Sequence, residues 1–219
     1  MKNFRKMLLA VLSVMFVVSA AGGVSAQEIT LEELVESNDN MRILSDEDIP
    51  EGQMFLEFDT VEEFEDFVNE LEEHSKKSTE EAREQYQNAG IASAIDMTED
   101  VALPYASSTL TGSQTKSISS ISGHTRGGKA YVKYKYVIVD SVKKFKSLSN
   151  FYVTYTGDTS FIDFELVDYT YKFIDNARTL AITFTGRTTY YVVVAGNKIE
   201  YTDLNDKYVE FYASNSSFL

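Results

Sequence analysis

The sequence predicts an α+β protein dominated by β. It calls for an antiparallel β-sandwich or small barrel of about seven strands on the C-terminal side, with an acidic helical segment before it. Three observations carry that prediction. Apolar and aromatic residues alternate with polar ones in short runs from Tyr131 to Phe211. Twelve of the fourteen tyrosines fall between Tyr131 and Tyr212, where half-buried pleated surfaces favour them. Charge divides differently: residues 27–103 hold 24 acids and 4 bases, and residues 104–219 hold 10 acids and 13 bases. Such asymmetry separates regions of different character.

The chain opens as an export leader would. Lys2, Arg5 and Lys6 precede an apolar run from Met7 to Ala20, and Val24-Ser25-Ala26 supplies the small residues of a cleavage site. The run is shorter than the roughly 20 residues that span a bilayer. Residues 1–26 are therefore read as a signal peptide removed near Ala26, leaving a secreted, extracellular chain with no transmembrane segment. Cysteine is absent and the formal net charge is −14. The core must form without disulfides, and no thiol can carry a lipid anchor.

Residues 27–96 read as the acidic helical region. Thr30 and Glu33 form a capping box ahead of Leu31, Leu34 and Val35, and Asn38-Asp39-Asn40 ends that helix. Met54 to Phe58 reads as a short strand after Pro50-Glu51-Gly52. Thr60 and Glu63 make a second capping box. Val61, Phe64, Phe67, Val68 and Leu71 follow at helical spacing as one apolar stripe, with acids on the other faces. Those acids read as solvated surface. Ser78 and Glu81 read as the start of a further polar helix that Gly90 stops.

Residues 97–128 are rich in Ser, Thr and Gly and show no sustained period. They read as a linker or long loop, with Ser117 to Ile121 as a short edge strand. Residues 129–219 read as an antiparallel β domain. Its strands run through Val132–Ile138, Phe151–Tyr155, Ile162–Leu166, Tyr169–Phe173, Leu180–Phe184, Tyr190–Ala195, Ile199–Tyr201 and Val209–Phe211. Tyr190–Ala195 is apolar on both faces, as a central strand is. Gly157-Asp158, Asp175-Asn176, Gly186-Arg187 and Gly196-Asn197 read as turns.

No catalytic motif emerges. There is no thiol, no G-x-S-x-G elbow, and only His74 and His124. His74 reads as a helix-end residue and His124 as part of an exposed turn. A carboxylate-dependent hydrolase needs only two placed acids; Asp163, Glu165 and Asp168 are the strand-borne candidates, although their spacing suits a solvent face. Zinc lacks ligands. Calcium prefers oxygen, and Asp46 and Asp48 in "SDEDIPEG" and Asp203 and Asp206 in "DLND" are its candidates, in loops that do not match the twelve-residue pattern. No cofactor is expected.

The binding candidates are basic and aromatic. Lys129, Tyr131, Lys133, Lys135, Lys143, Lys144 and Lys146 fall within one short segment that contains a single acid, Asp140. Such a face attracts an anionic envelope surface or another secreted protein. It can also protect a strand edge, or be covered by the acidic region. Nucleic acid is disfavoured by the overall charge.

The leader and the F-x-x-x-E-E-F-x-x-F run from Phe58 to Phe67 resemble small exported proteins of Gram-positive bacteria that have no assigned activity. The resemblance transfers no functional residue. The expectation is a secreted, non-enzymatic binding protein acting at the cell envelope. Two alternatives stand beside it: an antibacterial or membrane-active protein carrying an acidic pro-segment, and the carboxylate-dependent hydrolase.

Overall fold

A computed structural model describes residues 30–89, 108–121 and 127–213. The leader and His124 lie outside the described residues. Helix α1 (Leu31–Ser37) is followed by strand β1 (Met41–Ile43), a 3-10 turn (Asp46–Asp48), strand β2 (Leu56–Phe58) and helix α2 (Val61–Asn88). Then come β3 (Leu110–Ile118), β4 (Gly128–Val139), β5 (Val142–Tyr155), β6 (Ile162–Ile174), β7 (Thr179–Val194) and β8 (Asn197–Tyr212). The protein is mostly antiparallel β in two sheets, with one long helix.

The five-stranded sheet is built on β7. Strand β8 pairs with one side of it, and β6 and then β2 share the other; β1 extends the far edge of β8. Among the described residues, only β2 runs parallel to its neighbour. Strands β3, β4 and β5 form the second sheet.

One face of β7 serves two cores. Leu180, Ile182 and Phe184 pack with Val132, Tyr134, Phe145 and Phe151 of the three-stranded sheet. Tyr190, Val192 and Val194, on the same face by the two-residue period of a strand, pack with Phe64, Val68 and Leu71 of α2. Strand β8 divides in the same way: Val209 and Phe211 belong to the first core, Ile199 and Tyr201 to the second.

Between the cores runs a polar seam. On β7 it holds Gly186 and Thr188, and on β8 Asp203 and Asn205, the last three side chains all buried. On β6 the register slips at the same level, between Leu166 and Asp168. Gly186 leaves room there for the Phe164 ring of β6: a Cβ would lie 2.7 Å from it, and the ring would have to shift.

The seam accounts for three departures from the sequence reading. Gly186-Arg187 is not a turn but mid-strand, so Leu180–Phe184 and Tyr190–Val194 belong to one strand of sixteen residues, and Ala195 begins the turn after it. "DLND" is likewise inside β8, and Ile162–Leu166 and Tyr169–Phe173 are one bulged strand. In each case polar or small residues mark a change of partner layer, not a reversal of the chain. The true reversals are tight: Asp140-Ser141, Asp175-Asn176-Ala177 and Ala195-Gly196 all take positive φ.

Helix α2 is also continuous. Ser78 does not cap a new helix; the stripe Phe64, Val68, Leu71 continues as Ser75 and Ala82. The stripe turns polar where the helix crosses the seam, which imitates a break. His74 consequently lies mid-helix rather than at an end. Ser75 Oγ donates to Asp203 Oδ1 (2.6 Å) and Ser78 Oγ to the Asp206 carbonyl (2.9 Å), while Asp206 N–H donates to Thr79 Oγ1 (3.0 Å). The two bonds to the Asp206 backbone satisfy the open edge of β8 beyond β1. Gln114 Nε2, at 2.9 Å from the Tyr212 carbonyl, and Lys116 Nζ, at 3.3 Å from that of Glu210, do the same from β3.

Both N-terminal caps form. Thr30 and Glu33 make the full box. Thr60 Oγ1 accepts from Glu63 N–H (3.2 Å), but Glu63 returns its bond to Asp59 N–H, not to Thr60. Residues 110–118 of the stretch read as linker form a nine-residue edge strand; its Ser/Thr alternation lacks the apolar face by which a strand is recognised. Within the region read as acidic and helical, β1 and β2 add strands to the larger sheet of the β region.

Candidate functional site

The outer face of the three-stranded sheet gathers the basic candidates. The ladder sets Ser117, Lys129 and Thr154 side by side, then Thr115, Tyr131 and Tyr152, then Ser113, Lys133 and Asn150, then Thr111, Lys135 and Ser147. Alternation turns these residues away from the core, whose β4 contribution is Ala130, Val132 and Tyr134. Tyr131 and Tyr152 stack flat, with ring centroids 4.6 Å apart and planes 8° from parallel. None of these twelve residues is acidic, and Asp140 is the one acid between Leu110 and Tyr155. Among the described residues, three lysines therefore stand on a hydroxyl- and amide-lined platform with no acid on the same face.

The other basic candidates do not share that platform. Register shifts opposite Lys133/Tyr134 and Lys135/Tyr136 coil the hairpin end. Lys143 lies 4.5 Å over the Tyr136 ring, Lys146 Nζ donates to Thr109 Oγ1 at 3.4 Å, and Lys144 is half-buried opposite Val137. The acidic helix does not cover the platform. Its packing partners are β8, β7 and β2, because its apolar stripe fits the five-stranded sheet.

The strand-borne carboxylates each have a structural partner on the outer face of the five-stranded sheet. Asp163 accepts from Tyr191 Oη at 3.1 Å. Burial and then this bond push the Tyr191 phenol up to about 12. Glu165 is paired with Arg187 at 2.9 Å, and Asp168 accepts from the N–H of Tyr169 at 2.7 Å. Asp163, Glu165, Arg187, Thr189 and Glu200 line a shallow cleft of about 510 Å³.

The calcium candidates separate. Asp46 pairs with Lys198 (2.8 Å) and Asp48 accepts from Ser45, which holds both carboxyls below the usual range. Asp203 is buried and bonded to Ser75 and Asn205; Asp206 accepts from Thr185 at 2.7 Å and lies 3.7 Å from Arg83. Among the described residues no three acidic or histidine side chains converge on a metal position.

Sequence reasoning missed one feature, a groove of about 370 Å³ between α2 and β3. His74, Ser78, Glu81, Lys116 and Lys207 are among its lining residues. Burial lowers the Lys207 ammonium pKa, opposed by Asp203 and Glu81. No sequence signal reveals this groove, because it exists only if the helix runs unbroken past Ser78.

Comparison with protein families, curated proteins and solved structures yields no match. The fold is a mostly antiparallel β structure of two sheets braced by a long helix, and a fold of this kind does not by itself fix a function. No helix among the described residues is long and apolar enough to cross a membrane.

Proposed function

We propose that the protein is an exported, non-enzymatic binding protein of the cell envelope, and that the outer face of the three-stranded sheet takes an extended anionic polymer. One observation supports this reading: a platform along β4 bearing Lys129, Lys133 and Lys135, with the Tyr131–Tyr152 stack between Lys129 and Lys133 and no acid on that face among the described residues. Elsewhere the protein is strongly acidic, so the lysines there are not needed for solubility. A linear array of point charges suits a repeating anion, and flat aromatic surface adds contact with sugar or polyol carbons.

The leader composition supports export, and the platform supports contact with wall polymers or anionic lipid. Isolated Gram-positive cell walls, anionic vesicles and neutral vesicles serve as probes in co-sedimentation. Retention on an anionic probe, lost at high salt and lost in Lys133→Glu/Lys135→Glu, is expected. Equal retention of that variant, or none by the wild type, removes the proposal.

A further inference from the structure

Strand β8 aims the backbone groups of its even-numbered residues at the edge away from β7. Thr202 N–H donates to the Asn40 carbonyl, and Asp206 bonds α2 through both its N–H and its C=O. Farther along, Lys116 and Gln114 of β3 donate to the carbonyls of Glu210 and Tyr212. Tyr208 has the same phase, because the β7–β8 register runs unbroken past it. Its N–H and C=O make no hydrogen bond among the described residues. Its side chain is engaged on the outer face, bonded to Glu210 and packed on Tyr86, and leaves the backbone open.

This gap in the capping falls in the groove of about 370 Å³ between α2 and β3. From Asp206 to Glu210 the strand runs about 13 Å, which admits three extended residues at about 3.4 Å each. Lys207 lines the same groove. It stands in the inward row of β8 between Asn205 and Val209, both buried, and is the one cation in that row. Half-buried, it makes neither a hydrogen bond nor an ion pair among the described residues; Asp203 and Glu81 act on it only from a distance. The lining holds Lys77, Lys116 and Lys207 against one acid, Glu81, which Lys77 meets at 4.0 Å. The groove is therefore net positive in a chain of formal charge −14.

We propose that this groove takes a short, extended, acidic peptide segment, which adds to the edge of β8 at Tyr208 and sets a carboxylate on Lys207. A simple anion answers Lys207 but not the Tyr208 carbonyl, which needs a donor. A neutral peptide answers the edge but leaves Lys207 without a counter-charge. An acidic peptide supplies both. Strand alternation sets the pattern: the residue paired with Tyr208 turns its side chain outward, and the residues on either side turn theirs inward, toward Lys207. The inference does not rest on what the three-stranded sheet binds.

Calorimetric titration of the full chain with blocked tripeptides tests it. Glu-Ala-Glu carries an inward acid for either strand direction, and Gln-Ala-Gln is its neutral counterpart. Glu-Ala-Glu is expected to bind about tenfold or more tightly than Gln-Ala-Gln, the worth of one charge-assisted hydrogen bond. Lys207→Gln, with native circular dichroism, is expected to abolish that difference, and Lys76→Gln, on the exposed face of the helix, to keep it. N-methylation of the central residue removes the donor of an antiparallel partner, and N-methylation of the third removes that of a parallel one; one of the two is expected to lose binding. In the unmodified protein, bound Glu-Ala-Glu is expected to slow amide exchange at Tyr208 and leave Thr202, already bonded to Asn40, unchanged. No binding, equal affinity for the two peptides, or full binding by both N-methylated forms overturns the proposal. Inorganic phosphate binding as tightly as Glu-Ala-Glu also overturns it, since the groove is then a simple anion site.

Discussion

At the scale of single residues, the polar seam is where sequence and packing meet most sharply. Asp203 is 4% exposed and accepts from both Ser75 and Asn205. Removing it strands two buried donors, each costing about 1–3 kcal/mol. Asp203→Ala is therefore expected to lose about 2–4 kcal/mol in chemical denaturation. Thr188 lies beside it, 1% exposed, and its hydroxyl finds no partner among the described residues. Thr188→Val keeps the shape and deletes the unsatisfied group, so it should be neutral or stabilising by about 1 kcal/mol. A loss in Thr188→Val equal to that in Asp203→Ala would show that the seam is not organised around Asp203. Sequence alone displayed these residues but misplaced them, since Gly, Asp and Asn mark turns and polar seams alike.

At the scale of elements, local rules served the helix starts and strand faces well. Thr30 and Thr60 cap as their spacing implies. Extent was harder to read. Helix α2 outlasts its apolar stripe because Ser75, Ser78 and Thr79 bond to β8 in place of hydrophobic contact. Thr79→Val leaves the Asp206 N–H without its acceptor, and about 1–3 kcal/mol of stability should go with it. Amide exchange at Asp206 should rise more than at Ile199, which sits in the apolar core. Helix α1 carries a pH signature. The Thr30 N–H, and then its hydroxyl, hold the Glu33 carboxyl below its ordinary 4.5. The folded value is the lower one, so this stabilisation is complete above about 4.5 and fades as pH falls through the folded value. Amide protection in α1 should fall on acidification ahead of the β7–β8 core. Glu33→Gln, which keeps the capping bonds, should remove that early step; an unchanged acid profile would discount the box.

At the scale of the molecule, a β-dominated antiparallel fold was legible from alternation, and the central position of β7 from residues apolar on both faces. The sharing of one long sheet face between a second sheet and a helix was not. Both halves of β7 and β8 look like separate strands until their partners are known. Of the basic candidates, Lys129, Tyr131, Lys133 and Lys135 could be grouped because they alternate on one strand. Lys143, Lys144 and Lys146 could not be placed, because two bulges intervene. The Ser/Thr face of β3 that completes the platform carried no apolar period, so it read as a linker. The central claim is that this platform is where the protein meets an anionic surface. Differential lysine acetylation, read by mass spectrometry with and without isolated cell walls, addresses it directly. Protection of Lys129, Lys133 and Lys135, with Lys76 and Lys77 of the helix labelled equally in both states, is the predicted result. Protection centred on the helix lysines, or none on the platform, would contradict it.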